Sequence, residues 1–352
     1  MSGSPRRELP ATDLREILQA AREDVLRFRG SRLYVTGGTG FVGIWFLASV
    51  AAANRSLEAD ISVDVLTRDP ERAQTARPEI FDGERIRLVR GDVTERPPVD
   101  GTYDAIVHAA TAADARLNAE APDVMLSTIV DGGRHVLELA ARAGAIPLLF
   151  TSSGAVYGRQ PPTLEKIDET YGGAPNTLDA GSAYAEGKRL GELQCSIAAK
   201  RGAEAKIARL FAFAGPLLPL DRHFAIGNFL RDAMAGNAIS IGGDGSPFRS
   251  YLYASEMTAW LWAIFARGAN GRAYNVGSDE AVDIETLART VARVVAPSAA
   301  IEIAKQRDPS SAPERYVPDT GRIERELGVR RTVGLVEAIS RTAAWHGAYL
   351  FT

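Results

Sequence analysis

Short apolar runs alternate with longer amphipathic stretches between residues 31 and 212. The apolar runs, rich in β-branched and aliphatic residues, predict six strands: Leu33–Thr36, Ile61–Thr67, Ile86–Arg90, Ala105–His108, Leu148–Ser152 and Ile207–Phe211. Ala-rich stretches with helical periodicity lie between them, for example Val136–Ala143 and Ala185–Ala199. Strands that alternate with helices in this way predict an α/β fold with a parallel sheet and helices on both faces.

The segment before the first strand predicts a helix. Apolar residues recur at helical spacing from Leu14 to Leu26 behind Asp13, and Glu16 follows Asp13 by three residues. This is the pattern of a capping box with Asp13 as the N-cap. We expect residues 1–30 to form a helical leader that packs outside the first strand.

The rhythm of strands and helices changes at Phe213. Pro216, Pro219 and a glycine-rich stretch at 242–245 interrupt shorter elements. We therefore expect a first domain over residues 31–212, and a smaller lobe over 213–352 with segments that return to the first domain. The pattern in this second part predicts a strand at Ala273–Val276 and helices near Ile284–Val295 and Thr332–Trp345.

Composition excludes several classes of protein. The chain has 352 residues, with 41 Lys+Arg against 44 Asp+Glu, so it lacks the basic surplus that nucleic-acid binding requires. Cys195 is the single cysteine, and no Cys/His cluster has metal-ligand spacing, so we expect no disulfide and no metal. The longest apolar runs are shorter than the roughly 20 residues of a membrane span, and no signal peptide is evident. We expect a soluble, cytoplasmic protein.

Glycines follow the first predicted strand directly, in the segment Thr36-Gly37-Gly38-Thr39-Gly40-Phe41-Val42-Gly43. Gly37 permits a tight turn, Gly40 lets the backbone approach a pyrophosphate, and Gly43 allows close packing of the next helix on the strand. The N-terminus of that helix favours the same anion. The segment predicts a dinucleotide-binding loop, with a purely structural turn as the alternative.

The Gly-x-x-Gly-x-x-Gly spacing resembles that of the extended short-chain dehydrogenase/reductases, in particular the NAD-dependent epimerase/dehydratase family acting on nucleotide sugars. The resemblance spans residues 31–295. It implies a Rossmann-type, doubly wound parallel sheet with a smaller C-terminal substrate-binding lobe. The cofactor contacts that it implies are Gly37, Thr39, Gly40, Phe41, Val42, Gly43, Asp92, Val93, Ala109, Ala110 and Lys188.

The end of the second strand departs from the family pattern. Family members typically carry an acidic residue there that binds the adenosine ribose, whereas this chain has Thr67 and Arg68. Arg68 could pair with a 2′-phosphate. We therefore expect NADP(H) as the cofactor, with NAD(H) as the alternative.

Tyr184 and Lys188 are four residues apart, which places both on one face of a helix. The fifth strand ends in Phe150–Gly158, a segment similar to the family's serine-bearing one. This resemblance implies that Ser153, Tyr184 and Lys188 are catalytic, with Ser152 as the alternative serine. We expect the Lys188 ammonium and the positive nicotinamide ring to lower the pKa of the Tyr184 phenol. Tyr184 can then exchange a proton with a sugar oxygen during hydride transfer.

The two residues that follow Ser153 reduce the number of reactions that the site could catalyse. The family's 4,6-dehydratases have an Asp-Glu pair there, but this chain has Gly154 and Ala155, which cannot transfer a proton. We expect reduction of a 4-keto-6-deoxy nucleotide sugar. The alternatives are C4 epimerisation with tightly bound NAD, a non-catalytic dinucleotide sensor, or a dehydratase. A dehydratase would need a carboxylate from the following loop: Glu165, Asp168 or Glu169.

The second lobe is expected to bind the substrate. Arg249 lies in a segment similar to the family loop whose arginine binds the diphosphate. Asn275 lies in another family-like segment, and His223 and Asn228 lie where the sugar pocket is expected. Ala212 stands where the family usually has a substrate-contacting asparagine. The family's dimers form through helices like Val124–Ala143 and Tyr184–Ala199, so we also expect a homodimer.

Overall fold

The computed structural model describes residues 7–98, 102–111, 115–144, 146–221 and 224–347. Its strands are β1 (Arg32–Thr36), β2 (Ser62–Thr67), β3 (Ile86–Arg90), β4 (Ala105–His108), β5 (Leu148–Ser153), β6 (Ala205–Leu210), β7 (Phe213–Ala214), β8 (Ile239–Ile241), β9 (Phe248–Arg249), β10 (Leu252–Tyr253), β11 (Ala273–Val276), β12 (Val282–Asp283), β13 (Ile301–Ile303) and β14 (Arg315–Tyr316).

The helices connect these strands and cover the sheets. They are α1 (Ala11–Ala20), α2 (Arg22–Leu26), α3 (Phe41–Leu57), α4 (Pro70–Ala76), α5 (Pro78–Phe81), α6 (Ala115–Glu120), α7 (Pro122–Arg142), α8 (Ala183–Lys200), α9 (Ala225–Met234), α10 (Ala254–Arg267), α11 (Ile284–Val295), α12 (Gly321–Leu327) and α13 (Leu335–His346).

Seven strands form the central sheet, in the order β11-β6-β5-β4-β1-β2-β3, and every pair is parallel. This confirms the predicted α/β class and the Rossmann-type topology. The strand order reverses between β1 and β4, and ligands of such sheets bind in the crevice at the carboxyl ends of the strands at this switch point. The register pairs Thr36 with His108 and His108 with Phe150, so β1 and β4 end at the same level, and β5 continues beyond them to Ser153.

The prediction of a capping box at Asp13 is wrong. Helix α1 begins at Ala11 without a side-chain cap. Asp13 is buried, accepts a hydrogen bond from the Tyr253 hydroxyl at 2.7 Å and lies 3.3 Å from an Arg341 nitrogen. Its carboxylate therefore ties the leader to the C-terminal part of the fold. The leader packs on α3 and α10, with Ile17 and Val25 fully buried.

A second hydrophobic core forms after residue 213, mainly from α9, α11 and α13. Strand β11 leaves this part of the chain and pairs with β6 at the edge of the central sheet. In a small separate sheet, β14 runs parallel to β9 and places Tyr316 beside Arg249. This pairing brings a C-terminal segment next to the loop of Arg249, for which the sequence predicts a substrate contact.

Candidate active site

The glycine loop between β1 and α3 is shaped by close backbone contacts. Gly37 has a φ of +70°, and a Cβ built there would lie 2.3 Å from the Ala109 carbonyl oxygen. A Cβ on Gly43 would lie 2.3 Å from the Gly37 carbonyl oxygen. Both positions must be glycine because the protein's own backbone fills the space.

Gly40 differs from these two glycines. A Cβ on Gly40 would have its nearest neighbour, the Gly37 oxygen, at an ordinary 3.5 Å. Gly40 is also the N-cap of α3, which has no side-chain cap and no acidic residue in its first turn. The first amides of a helix lack intrahelical acceptors, so this end can receive an anion. A cavity of about 230 Å³ opens beside Thr39, Gly40 and Phe41. The loop therefore fits the pyrophosphate of a dinucleotide.

The neighbouring predicted cofactor residues lie at the ends of β1 to β4. The Ala110 amide donates to the Thr36 hydroxyl at 3.3 Å, next to the glycine loop. Asp92 accepts hydrogen bonds from the Thr94 amide and hydroxyl, and these bonds, with the charge of Arg68, hold its pKa below the usual value. Val93 is half-buried, as are Phe41 and Val42.

Arg68 is exposed immediately after β2. The acidic residue that follows it, Asp69, accepts a hydrogen bond from the Arg72 amide at 3.0 Å as the N-cap of α4. The Asp69 carboxylate is thus engaged in capping, and the Arg68 side chain is left at the tip of the strand.

Ser153 and Tyr184 come together at the carboxyl end of β5. Tyr184 is the second residue of α8, and its amide donates to Asn118 Oδ1 at 2.9 Å. The Ser153 hydroxyl accepts a hydrogen bond from the Ala155 amide at 3.1 Å. The Ser153 side chain is also close enough to the Tyr184 phenol to oppose the rise in its pKa.

Lys188 lies one turn further along α8 and is buried. Its ammonium donates to the Thr151 carbonyl at 2.7 Å and to the Thr111 hydroxyl at 2.8 Å, and lies 6.0 Å from the centre of the Tyr184 ring. Burial lowers the pKa of Lys188 to about 7, although the nearby Glu192 carboxylate opposes this shift.

The expected lowering of the Tyr184 pKa is not found in the chain alone. Burial raises the pKa of Tyr184 and outweighs the opposing effect of the nearby Ser153 side chain. The physical reason is that the Lys188 ammonium is directed at Thr151 and Thr111 rather than at the phenol oxygen.

The two serines at the end of β5 point in different directions, as alternation along a strand requires. Ser152 donates to Glu192 Oε1 at 2.5 Å, and the Glu192 carboxylate in turn pairs with Arg209 at 2.7 Å. Ser153 is the serine that faces Tyr184. Ser152 therefore belongs to a buried ion-pair network, whereas Ser153 lies on the side of Tyr184.

No carboxylate of the loop after Gly154 and Ala155 is directed at Tyr184. Glu169 accepts a hydrogen bond from the backbone amide of Asn275 at 2.8 Å, and its carboxylate lies 3.5 Å from the Arg322 guanidinium. The sequence analysis names two other carboxylates that could serve a dehydratase. Asp168 accepts hydrogen bonds from the Thr170 amide and hydroxyl, and the Glu165 side chain is exposed. The hydrogen bonds and ion pair of Glu169 and Asp168 are thus all with groups other than Ser153 and Tyr184.

The predicted substrate residues have different surroundings. Arg249 is partly exposed, with Nη1 donating to the Phe248 carbonyl at 2.8 Å and Nη2 lying 3.9 Å from Glu314. Asn228 lies on α9 and accepts from Arg231 Nη1 at 3.3 Å. The prediction for His223 lies outside the described residues.

Asn275 does not fit a substrate contact. Its side chain is fully buried, accepts a hydrogen bond from the Tyr157 hydroxyl at 2.7 Å, and donates to the carbonyls of Ile167 and Asp319 at 2.9 and 3.0 Å. These partners use its hydrogen-bonding capacity inside the fold. The residue joins β11 to two loops and has a structural role here.

A phenol that the sequence analysis missed also lies at the site. The hydroxyl of Tyr316, on β14, is next to Gly154, and Tyr316 lies 163 residues after Ser153 in the sequence. No local motif marks it, because it reaches the site only through the pairing of β14 with β9. In the sequence, the feature that could have pointed to Tyr316 is a tyrosine within a short polar segment.

His108 at the end of β4 has a structural environment. The ring is buried, Nδ1 is 2.7 Å from the Thr36 hydroxyl, and burial together with the charge of Lys188 lowers its pKa to about 3. It therefore stays neutral at neutral pH. Among the described residues, no group of three or more His, Cys, Asp or Glu could hold a metal ion, and no helix is long and apolar enough to cross a membrane.

Known proteins resemble this chain over most of its length. The sequence profile of the NAD-dependent epimerase/dehydratase family matches residues 33–277. UDP-glucuronic acid decarboxylase 6 of Arabidopsis thaliana is 30% identical over 311 residues, which cover 88% of this chain and 86% of that protein. UDP-glucuronic acid decarboxylase 1 of the same plant is 31% identical over 311 residues, 88% of this chain and 68% of that protein.

Solved structures show the same architecture. DesIV, a dTDP-glucose 4,6-dehydratase from Streptomyces venezuelae whose structure holds NAD, has a TM-score of 0.74 and 26% identity, covering 90% of this chain and 96% of that one. The family profile spans well over half of the chain, and the glycine loop, Ser153, Tyr184 and Lys188 lie inside it. The relatives described above are named for reactions of nucleotide sugars. From the match to the family profile, the chain belongs to the NAD-dependent epimerase/dehydratase family.

Proposed function

We propose that this chain is a nucleotide-sugar oxidoreductase that reduces the C4 carbonyl of a 4-keto-6-deoxy sugar. The observation that carries the proposal is the meeting of Ser153, Tyr184 and Lys188 at the end of β5, without a second proton-transfer pair at Gly154 and Ala155. Such a site can support hydride transfer at one carbon but lacks the groups for elimination.

The cofactor supplies a hydride when bound, through its nicotinamide ring. Tyr184 gives its phenol proton to the sugar oxygen, so that the carbonyl becomes a hydroxyl by gain of one hydride and one proton. Ser153 hydrogen-bonds the same oxygen and stabilises the charge that develops on it. Lys188 would hold the nicotinamide ribose when the cofactor is bound. Because burial raises the pKa of Tyr184, the phenol is protonated at neutral pH, as a proton donor must be.

Arg68 supports NADP(H) as the dissociable reductant. Its side chain is exposed at the tip of β2, and the adjacent Asp69 carboxylate is engaged as a helix cap. A 2′-phosphate there would meet a guanidinium rather than a repelling carboxylate. Arg68→Ala should reduce the ratio of NADPH to NADH affinity, whereas Arg85→Ala, which removes an arginine before β3, should not. An unchanged ratio in Arg68→Ala would leave NAD(H) as the cofactor.

Oxidative decarboxylation of a nucleotide hexuronic acid is a second candidate. The observation that favours it is the similarity to proteins named UDP-glucuronic acid decarboxylases over 88% of the chain. Oxidation at C4 makes the acid a β-keto acid, which loses CO₂ without a base for the C5 proton. Gly154 and Ala155 therefore do not exclude this reaction. C4 epimerisation uses the same groups and returns the hydride to the opposite face of the sugar.

A substrate panel separates these reactions. The purified protein is incubated with dTDP-4-keto-6-deoxyglucose plus NADPH or NADH, with UDP-glucuronic acid plus NAD, and with UDP-glucose plus NAD. The proposal predicts one reduced nicotinamide oxidised for each keto sugar consumed. A nucleotide pentose and CO₂ from UDP-glucuronic acid, without net change in nicotinamide absorbance, would contradict it in favour of decarboxylation. UDP-galactose with a stoichiometric NAD released on denaturation would favour epimerisation.

We also propose a homodimer formed through α7 and α8, supported by large apolar side chains that remain exposed on these helices. They are Val124 and Leu126 on α7, and Leu190, Leu193 and Ile197 on α8. Leu193 is the most exposed of them, at 54%, and an exposed apolar patch is typical of a protein–protein contact surface. Light scattering should give a dimer for the wild type and a monomer for Leu193→Glu; a wild-type monomer would refute the proposal.

A further inference from the structure

Asn118 joins the short helix α6 to the start of α8, the helix that carries Tyr184. Its side chain makes two hydrogen bonds, both with backbone groups. Oδ1 accepts from the Tyr184 amide at 2.9 Å, and Nδ2 donates to the Gly181 carbonyl at 2.7 Å. Asn118 is half-buried and lies 66 residues before Tyr184 in the sequence. One distant side chain therefore holds the backbone on both sides of Ala183, where α8 begins.

The start of α8 depends on this contact because the local sequence does not cap it. Ser182, the N-cap residue, makes no side-chain hydrogen bond to the first turn, whose residues are all described, although serine is a favourable N-cap. The amide of Tyr184, the second residue of the helix, has no acceptor within the helix. Asn118 supplies that acceptor from α6. The position of the Tyr184 backbone is therefore set by a separate helix.

The chain after β4 also contacts α8 at a second point. Thr111 Oγ1 accepts a hydrogen bond from the Lys188 ammonium at 2.8 Å, one helical turn beyond Tyr184. Lys188 donates to the Thr151 carbonyl on β5 at 2.7 Å as well. Loss of the Asn118 side chain would therefore release the first turn of α8, while these two hydrogen bonds keep Lys188 in place.

The place of the first turn matters because the phenol of Tyr184 must come within hydrogen-bond distance of the sugar oxygen. The facing end of β5 is fixed by the central sheet, in which Ser153 is paired with Leu210 of β6. A displacement of the first turn of α8 would move the phenol relative to this fixed strand. A misplacement of about 1 Å can lower the rate of a reaction by about 100-fold.

We propose that Asn118 is a positioning residue for Tyr184: it caps α8 from α6 and thereby sets the place of the phenol at the end of β5. It acts through the backbone of Tyr184 and not on the reacting atoms. This inference rests on the proposed acid–base role of Tyr184.

Amide hydrogen exchange tests the cap without any substrate. Full-length protein labelled with ¹⁵N at its ten tyrosines is followed by NMR with saturating NADP and, separately, with saturating NAD. The Tyr184 signal is identified by its absence in Tyr184→Phe. We expect the Tyr184 amide to exchange at least about 10-fold faster in Asn118→Ala than in the wild type, because its single acceptor is lost, while the other tyrosine amides keep their rates. An unchanged rate for Tyr184 would overturn the inference.

Turnover of the substrate found in the panel tests the consequence. Asn118→Ala should lower kcat about 10- to 100-fold, because the phenol is misplaced. KM and dinucleotide affinity should change by less than about 3-fold, because Lys188 remains held by Thr111 and Thr151. A wild-type kcat, or a loss confined to KM, would overturn the inference.

Asn54→Ala is the matched control. Asn54 is also half-buried and makes the same pair of bonds: Nδ2 donates to the Ile61 carbonyl at 2.8 Å, and Oδ1 accepts from the Ile61 amide at 2.9 Å. It lies near the end of α3, fourteen residues beyond Gly40. Both variants should lower the free energy of unfolding by a similar amount in urea, but Asn54→Ala should keep kcat. An equal fall of kcat in both variants would reduce Asn118 to a structural residue.

The outcomes also separate this inference from the proposed function. If Tyr184→Phe turns over at the wild-type rate, the proposed function fails, whatever the exchange of the Tyr184 amide shows. If Tyr184→Phe is impaired and Asn118→Ala is not, the inference alone fails.

Discussion

Replacing Gly40 by alanine should separate cofactor binding from folding. Gly40 has φ −84° and ψ 174°, which alanine adopts without strain, and its Cβ would be 3.5 Å from the nearest protein atom. Replacing a flexible glycine stabilises the folded protein by about 0.5–1 kcal/mol, and the poorer N-cap destabilises it by about the same amount. We therefore expect the free energy of unfolding to change by less than about 1 kcal/mol.

Dinucleotide affinity should respond much more strongly. The added methyl group would occupy space that we assign to the pyrophosphate, at the uncapped end of α3. Losing one hydrogen bond to a charged group costs about 1.5–3 kcal/mol, which corresponds to roughly 10- to 150-fold in affinity. Calorimetric titration with NAD(H) and NADP(H) measures the affinity, and urea unfolding measures the stability.

Two glycines give matched controls for Gly40→Ala. Gly83→Ala, where nothing lies within 4 Å of the new Cβ, should change neither quantity. Gly43→Ala, with a backbone oxygen at 2.3 Å, should lower both the affinity and the stability, the latter by about 1–3 kcal/mol. Wild-type affinity in Gly40→Ala would refute the placement of the pyrophosphate at this loop.

The buried polar groups beneath the site yield further predictions. Because the pKa of Lys188 is lowered to about 7, the unfolded chain binds more protons above that pH, and stability should rise with pH. Between about pH 7 and about pH 9, the free energy of unfolding of the wild type should rise by roughly 2 kcal/mol more than that of Lys188→Met, measured by urea unfolding. An equal rise in both proteins would contradict this prediction. Glu192→Gln should cost about 3–5 kcal/mol because it leaves the buried Arg209 unpaired, and Glu192→Gln/Arg209→Met should recover most of that loss.

Local sequence patterns predict the parts of the site that lie within single segments. The glycine loop, and the four-residue spacing of Tyr184 and Lys188, depend only on a strand end and on helical geometry. All seven strands of the central sheet correspond to predicted strands, because most of them are apolar runs buried on both faces, although the sequence did not place Ala273–Val276 in this sheet. Strand bounds differ from the predictions by at most two residues, for example Ala205–Leu210 against Ile207–Phe211.

Interactions between distant segments explain what the sequence could not predict. In the sequence, Asn275 is a polar residue on a predicted strand, and this position alone does not reveal its partners. The structure shows that its side chain is hydrogen-bonded to the Tyr157 hydroxyl and to two backbone carbonyls. Asp13 has the spacing of a helix cap, but Tyr253, 240 residues away, draws its carboxylate inside. Tyr316 reaches the site through the register of two-residue strands, which leave no periodic signal.

The central claim is that Tyr184 transfers a proton to or from the sugar oxygen. Its most direct test is a single-turnover reaction of Tyr184→Phe, loaded with reduced nicotinamide cofactor and mixed with the 4-keto nucleotide sugar, followed by nicotinamide absorbance beside the wild type. We predict a rate at least about 100-fold slower with unchanged dinucleotide affinity and unfolding free energy. Oxidation of the cofactor at the wild-type rate would contradict the account.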